Sequence, residues 1–149
     1  RWEWEKRDRI ILSKGHGALA LYPTFVQAGI IDKDELQTFK VNGSKLSSHP
    51  SLNGLPGIEY ASGSLGQGLS LGVGACLALR KKNNVSSRVF VLMGDGECDE
   101  GSVWEACMSA VSYKLDNYTL FIDNNHMQSD GFSEEIMNVS DKYARSGCC

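Results

Sequence analysis

The segment from Arg88 to Gly131 constrains the fold most, because two short apolar runs in it break at matched turns. Arg88-Val89-Phe90-Val91-Leu92-Met93 stops at Gly94-Asp95-Gly96-Glu97, and Thr119-Leu120-Phe121-Ile122 stops at Asp123-Asn124-Asn125. A helix-like stretch, Gly101 to Leu115, lies between them. Short runs rich in β-branched and aromatic residues and bounded by turn residues read as buried strands. Strand, helix, strand is a βαβ unit, so its strands are expected to be parallel neighbours. Such strands end at one sheet edge, where open α/β sheets bind ligands. Asp95 and Asn125 are therefore expected side by side. A carboxylate, a carboxamide and a backbone carbonyl near Met127 suit Mg²⁺ that also holds two diphosphate oxygens and a water. The neutral Asn avoids the repulsion that a second carboxylate would exert on the diphosphate. Gly94 and Gly96 would let backbone N–H groups approach phosphate oxygens. The plainer alternative for Gly94-Asp95-Gly96 alone is a strand-to-helix turn, where Asp and Gly are common.

The rest of the chain supplies loops and helices around that unit. Ile10-Ile11-Leu12-Ser13 is a short apolar run before Lys14-Gly15-His16-Gly17, whose glycines leave the imidazole accessible. Ala18 to Ala28 reads as a helix with Pro23 as a kink and Gly29 as its cap. Asp32 with Glu35 resembles a capping box, so Lys33 to Lys40 is expected to be a short helix. Ser44 to Ser62, with His49-Pro50 inside it, is loop-like, and a structureless loop of that length is usually functional. Gly63 to Asn83 reads as the longest helix, with Leu65, Leu69, Val73 and Leu77 as its apolar stripe. Its many glycines cost roughly 1 kcal/mol each relative to Ala, so they are expected to serve close approach to a sheet, helix or ligand. Gly66 to Gly72 is one residue too long for a dinucleotide fingerprint, and no strand precedes it, so a nicotinamide nucleotide is not expected. Arg1 to Arg9 could end a helix, and Ser133 to Arg145 is expected to form one. A lone loop histidine is more often merely solvated, but His16 and His49 both flank the candidate site and suit proton handling or phosphate contact. Glu97, Asp99 and Glu100 read as a solvated acidic loop; Glu100 and Glu105 also lie where a helix dipole favours negative charge.

Composition narrows the classes. The 149 residues suggest one domain, and a net charge of -3 leaves no electrostatic footprint for nucleic acid. No apolar run is long enough to span a bilayer, and the charged, aromatic start Arg1 to Asp8 is unlike a signal peptide. Five cysteines without C-x-x-C spacing argue against a disulfide framework or zinc site and for a reducing, cytoplasmic compartment. Cys76 and Cys107 are expected in the core. With no starting Met and an unfinished last element, the chain is expected to be truncated, processed or partly sequenced.

Several motifs in one order carry a resemblance. They are Ser13-Lys14-Gly15-His16-Gly17, His49-Pro50, Gly63-Ser64-Leu65-Gly66-Gln67-Gly68, Gly94-Asp95-Gly96-Glu97, Glu100-Gly101 and Asn125. From about Arg7 to Gly131 the chain resembles transketolase, in particular the stand-alone N-terminal subunit of split transketolases. The resemblance implies a thiamine-diphosphate-binding domain over residues 1–149. Its fold class is α/β: a doubly wound, mostly parallel, flavodoxin-like sheet with helices on both faces, incomplete at both ends. It implies Mg²⁺, with Ca²⁺ or Mn²⁺ as substitutes, held by Asp95, Asn125 and the Met127 carbonyl. His16 and Gly96 would contact the diphosphate, with Gly94 and Glu97 in the same cofactor-binding set. Gly63 and Leu65 would meet the aminopyrimidine through backbone groups, and His49 would contact the donor's hydroxyl oxygens, so His16 and His49 are the catalytic candidates. Glu100 and Glu105 resemble acids near a dimer interface. The activity implied is transfer of a two-carbon ketol unit from a ketose to an aldose, with the cofactor ring as electron sink. His126 and Ser129 depart from the small and apolar residues usual in the family. The family's activating glutamate belongs to a second domain, so a partner subunit carrying the pyrimidine domain is expected, in a homo- or hetero-oligomer acting on small sugars, with no nucleic acid or membrane. The rivals are a deoxyxylulose-phosphate-synthase-like enzyme and a non-catalytic assembly subunit.

Overall fold

The computed structural model of the chain describes residues 5–52, 54–84 and 86–137. Strand β1 spans Arg9–Leu12, and a 3₁₀ turn at Gly15–Gly17 leads into helix α1, Ala18–Gln27. A 3₁₀ segment, Lys33–Thr38, and a long irregular stretch lead to helix α2, Gln67–Lys81. Strand β2, Val89–Gly94, passes through a 3₁₀ turn at Asp95–Asp99 into helix α3, Gly101–Ser112. Strand β3 is Tyr118–Asp123, followed by the two-residue strands β4, Met127–Gln128, and β5, Gly131–Phe132, and a short helix α4, Ser133–Ile136.

The expected βαβ unit is present. β2 pairs with β3 in parallel from Val89↔Tyr118 to Gly94↔Asp123, and β1 pairs with the other side of β2 in parallel from Arg9↔Val89 to Leu12↔Leu92. The sheet order is β1-β2-β3, so successive strands advance in one direction. Right-handed crossovers that advance in one direction put their helices on the same face; helices on both faces require the order to reverse. Accordingly α2 and α3 pack together with the sheet side chains Ile11, Val89, Val91 and Met93 in one core. Residues Ile10, Leu92 and Phe121 of the opposite face are exposed. For the same reason β3 is only partly buried. The α/β class with a parallel sheet holds.

α2 starts four residues later than expected because Gly66 takes a left-handed conformation, φ 76°. Leu65 therefore lies outside the helix and is exposed, and the buried face is Gly68, Leu69, Gly72, Val73, Cys76 and Leu79. The glycines do serve close approach. A Cβ on Gly68 would lie 2.5 Å from Ser13 Cβ, and one on Gly72 would lie 2.7 Å from Val91 Cγ2. Cys76 and Cys107 are buried, as expected, whereas Cys148 and Cys149 lie outside the described residues.

α1 ends as its sequence suggests. Gly29 has φ 68°, its N–H donates to Val26 O, and the Ile30 N–H donates to Phe25 O, which is a Schellman closure. The expected Asp32 cap is absent: Asp32 makes no side-chain cap bond, and the segment winds as a 3₁₀ helix. The 44–62 stretch stays irregular but is anchored by Leu46 and Leu55, which pack with Tyr22 and Phe25 in a second core. The expected Ser133 to Arg145 helix begins as α4 but stops at Ile136, because Met137 is extended; residues 138–145, and Arg1 to Trp4, lie outside the described residues.

Two glycines of α2 separate packing from propensity. Gly68→Ala is expected to destabilise the chain by on the order of 1–3 kcal/mol, because Ser13 Cα lies 2.8 Å from the new methyl. A Cβ added at Gly74 would meet nothing within 4 Å, so Gly74→Ala should stabilise by roughly 0.5–1 kcal/mol. Urea unfolding midpoints of the two variants should move in opposite directions.

Candidate functional site

Because the three strands are parallel, their following loops leave one edge of the sheet: Ser13 to Gly17 after β1, Asp95 to Asp99 after β2, and Asn124 to His126 after β3. Asp95 is 5% exposed, and its Oδ2 accepts a hydrogen bond from Ser133 Oγ at 2.9 Å. The Ser133 N–H donates to His126 O at 3.0 Å. Ser133 thus ties the Asp95 carboxylate to the loop that carries Asn125. Asn125 is exposed, and its Oδ1 accepts from the Met127 N–H at 3.0 Å, so an Asx-type turn couples its side chain to the Met127 backbone. These bonds link the Asp95 loop to the Asn125–Met127 loop.

His126 has φ 60°, a conformation that glycine adopts at little cost. Its ring points outward, with Nδ1 3.8 Å from Glu134 Oε1. Ser129 is exposed in the turn between β4 and β5.

The two histidines lie on the neighbouring rim. His16 is exposed in the 3₁₀ turn after β1. His49 is exposed too, with Cδ2 3.0 Å from a Cβ placed on Gly15 and 4.0 Å from one placed on Gly63. His16, His49 and Gly63 are therefore gathered round Gly15. Beneath them, the Ser62 hydroxyl is buried without a hydrogen-bond partner among the described residues. Leu65 is exposed between Gly63 and the start of α2.

Two members of the Gly94-Asp95-Gly96-Glu97 motif behave differently from expectation. Glu97 is not part of a solvated loop. It is 1% exposed, and both its oxygens are engaged: Oε1 by Ser13 Oγ at 2.5 Å and the Gly66 N–H at 2.9 Å, Oε2 by the Gly94 N–H at 2.8 Å. The Gly94 N–H is consequently committed to Glu97 rather than open to a phosphate. Gly96 is half-buried and packs against Gln128 on its Cα side, where a Cβ would lie 2.8 Å from Gln128 Cγ. Gln128 Nε2 also donates to Asp99 Oδ2 at 2.8 Å. Glu100 and Glu105 are exposed, as expected for surface acids.

Ser133, Gln128 and the Lys14–Asp123 pair join the site without having been expected there. Lys14 is buried, and its Nζ lies 2.5 Å from Asp123 Oδ2, joining the first loop to the end of β3. Ser13 and Lys14 belong to the Ser13-Lys14-Gly15-His16-Gly17 motif, so their place is signalled in the sequence although their bonds are not. Ser133 and Gln128 had no local signal.

The donors fit a hard cation and an anionic group. Among the described residues no cluster of three or more His, Cys, Asp or Glu could hold a metal. A cation here would need the mixed set of Asp95 carboxylate, Asn125 carboxamide and Met127 carbonyl, the oxygen-only chemistry of Mg²⁺. The unpartnered Ser62 hydroxyl beside the Gly15 backbone marks a polar cradle under the two histidines.

Tyr60, half-buried beside Ser13, has its phenol pushed up to about 12; burial is the main cause, the Glu97 charge adds to it, and a hydrogen bond with Ser13 opposes it. The fold favours the neutral phenol, so this contribution is complete below the ordinary value of 10.0 and is lost as pH rises toward about 12. Tyr60→Phe should flatten that portion of the alkaline unfolding curve, followed by circular dichroism against pH.

Residues 1–148 match the family described as transketolase, thiamine diphosphate binding domain. The chain is 50% identical over 136 residues to a transketolase family protein of Sinorhizobium fredii, covering 91% of this chain and 48% of that one. It is 46% identical over 134 residues to an apulose-4-phosphate transketolase subunit of Phocaeicola vulgatus, covering 90% and 47%. Among solved structures, transketolase of Pichia stipitis superposes with TM-score 0.89 at 32% identity, covering 99% of this chain and 23% of that one. The chain thus spans about half the length of these relatives and about a quarter of that solved chain.

Proposed function

We propose, for a chain that belongs to the transketolase family by its thiamine-diphosphate-binding domain, that it holds the diphosphate of that cofactor through Mg²⁺ as one subunit of a split transketolase. The observation that carries this is the bridge from Asp95 through Ser133 to the Asn125–Met127 turn. It links the Asp95 loop to the Asn125–Met127 loop, and the loop of His16 leaves the same sheet edge. Asp95, the Asn125 side chain and the Met127 carbonyl would hold the cation; His16 and Gly96 would meet the diphosphate; Gly63 and Leu65 would meet the aminopyrimidine through backbone groups.

When bound, thiamine diphosphate supplies an electron sink for breaking and making the bond to a two-carbon ketol unit. This chain's own part is to bind and orient. Ser133 fixes the Asp95 carboxylate toward the loop edge, and the Asx turn fixes Asn125. The exposed imidazoles of His16 and His49 would handle protons or contact the diphosphate and the substrate hydroxyls. The proposed reaction is ketol transfer from a ketose to an aldose, both small sugars, completed by a partner subunit that supplies the pyrimidine domain. Among the described residues no helix is long and apolar enough to cross a membrane; a cytoplasmic setting is part of the proposal.

Calorimetric titration with thiamine diphosphate, with and without Mg²⁺ and the partner subunit, tests it. Binding should require the cation, and Asn125→Ala should weaken it by about tenfold or more, the scale on which disturbed metal ligation acts. Magnesium-independent binding of equal strength in both proteins would overturn the metal assignment. Ketol transfer should appear only when both subunits are present.

A further inference from the structure

Among Asp95, Lys14 and Glu97, the buried charged residues described, Glu97 is the most enclosed at 1% exposure. A buried carboxylate left without partners costs several kcal/mol, so its retention calls for donors that repay it. The donors come from three separate parts of the chain: the Ser13 hydroxyl after β1, the Gly66 N–H before α2, and the Gly94 N–H at the end of β2. Ser13 precedes the loop of His16, Gly66 directly follows Leu65, and Gly94 directly precedes Asp95. One carboxylate therefore touches three of the segments proposed to shape the cofactor site, while both its oxygens face the protein.

The surrounding packing admits little slack. A Cβ on Gly68 would lie 2.5 Å from Ser13 Oγ, and one on Gly66 would lie 2.7 Å from Glu100 Cβ. The Gly66 conformation that exposes its N–H to Glu97 has φ 76°, which a non-glycine residue adopts only with strain. The three donors need acceptors on both carboxyl oxygens. An amide of the same shape has only one acceptor oxygen, so its NH₂ would oppose either the Gly94 N–H or the Ser13–Gly66 pair.

We propose that Glu97 is a positioning residue for the thiamine-diphosphate site, setting the spacing of the Ser13–Gly17, Gly63–Gly66 and Gly94–Asp95 segments through these three hydrogen bonds. This rests on the function proposed above and replaces direct cofactor contact by Glu97 with action through the backbone.

The test uses the chain in complex with its partner subunit, unsubstituted or carrying Glu97→Gln or Ser13→Ala. In the cofactor-free protein, amide hydrogen exchange at Gly66 and Gly94 should be about tenfold faster in Glu97→Gln, with exchange at Val89 and Phe90 unchanged. Magnesium-dependent binding of thiamine diphosphate should weaken by about tenfold, and Ser13→Ala should weaken it by a smaller factor. Glu97→Gln that melts at a lower temperature yet binds the cofactor as tightly as the unsubstituted protein would falsify the positioning role. Should Glu97→Gln fail to fold, Ser13→Ala decides: unchanged binding and unchanged Gly66 exchange overturn the proposal. Failure of the unsubstituted complex to bind the cofactor overturns the proposed function itself, and the positioning role with it.

Discussion

The parallel pairing of β2 with β3, running to Gly94↔Asp123, is the constraint on which the site depends. Parallel strands have common ends, so this one register places the turn after Met93 beside the turn after Ile122. β1 joins on the other flank in the same direction and adds the loop of Ser13 to Gly17 at the same edge. A register shifted by one residue would send the β2 side chains Val89, Val91 and Met93 to the opposite face, away from α2 and α3. Core packing and site geometry are therefore specified together.

The helix–sheet contact supports this arrangement through the absence of side chains as much as through their presence. Leu69, Val73, Cys76 and Leu79 supply the apolar surface of α2, but Gly68 and Gly72 allow the helix to rest on Ser13, Val91 and Tyr118. The Tyr118 hydroxyl donates to Leu69 O at 2.9 Å, closing the same contact with a polar bond. Because Ser13 belongs both to this contact and to the Glu97 carboxylate, the helix seat and the loop cluster are mechanically one unit.

Local patterns foretold a good deal of this. The β2 and β3 runs, the crossover helix, the Gly29 closure of α1 and the buried Cys76 and Cys107 all depend on nearest-neighbour propensity and hydrophobicity, which a sequence displays directly. The failures share a cause. The capping box at Asp32 was right in residue type but gained no side-chain bond. The stripe through Leu65 ignored the left-handed Gly66, after which α2 starts at Gln67. Glu97 looked like one more surface acid in a run of acids, because donors supplied from residues 13 and 66 leave no trace near position 97.

Sequence alone determined the strand–helix–strand types and the parallel sense of the central unit. It also determined, through motif order, the family. Tertiary structure decided which acids face the site and which hold it: Asp95 is met by Ser133, while Glu97 turns inward to three donors. It also decided that α2 and α3 share one sheet face, since strand order is a property of how distant segments meet. The physical reason is range. Propensity, periodicity and turn chemistry act over a few residues, whereas burial and hydrogen-bond partnership of a side chain are set by segments many tens of positions away.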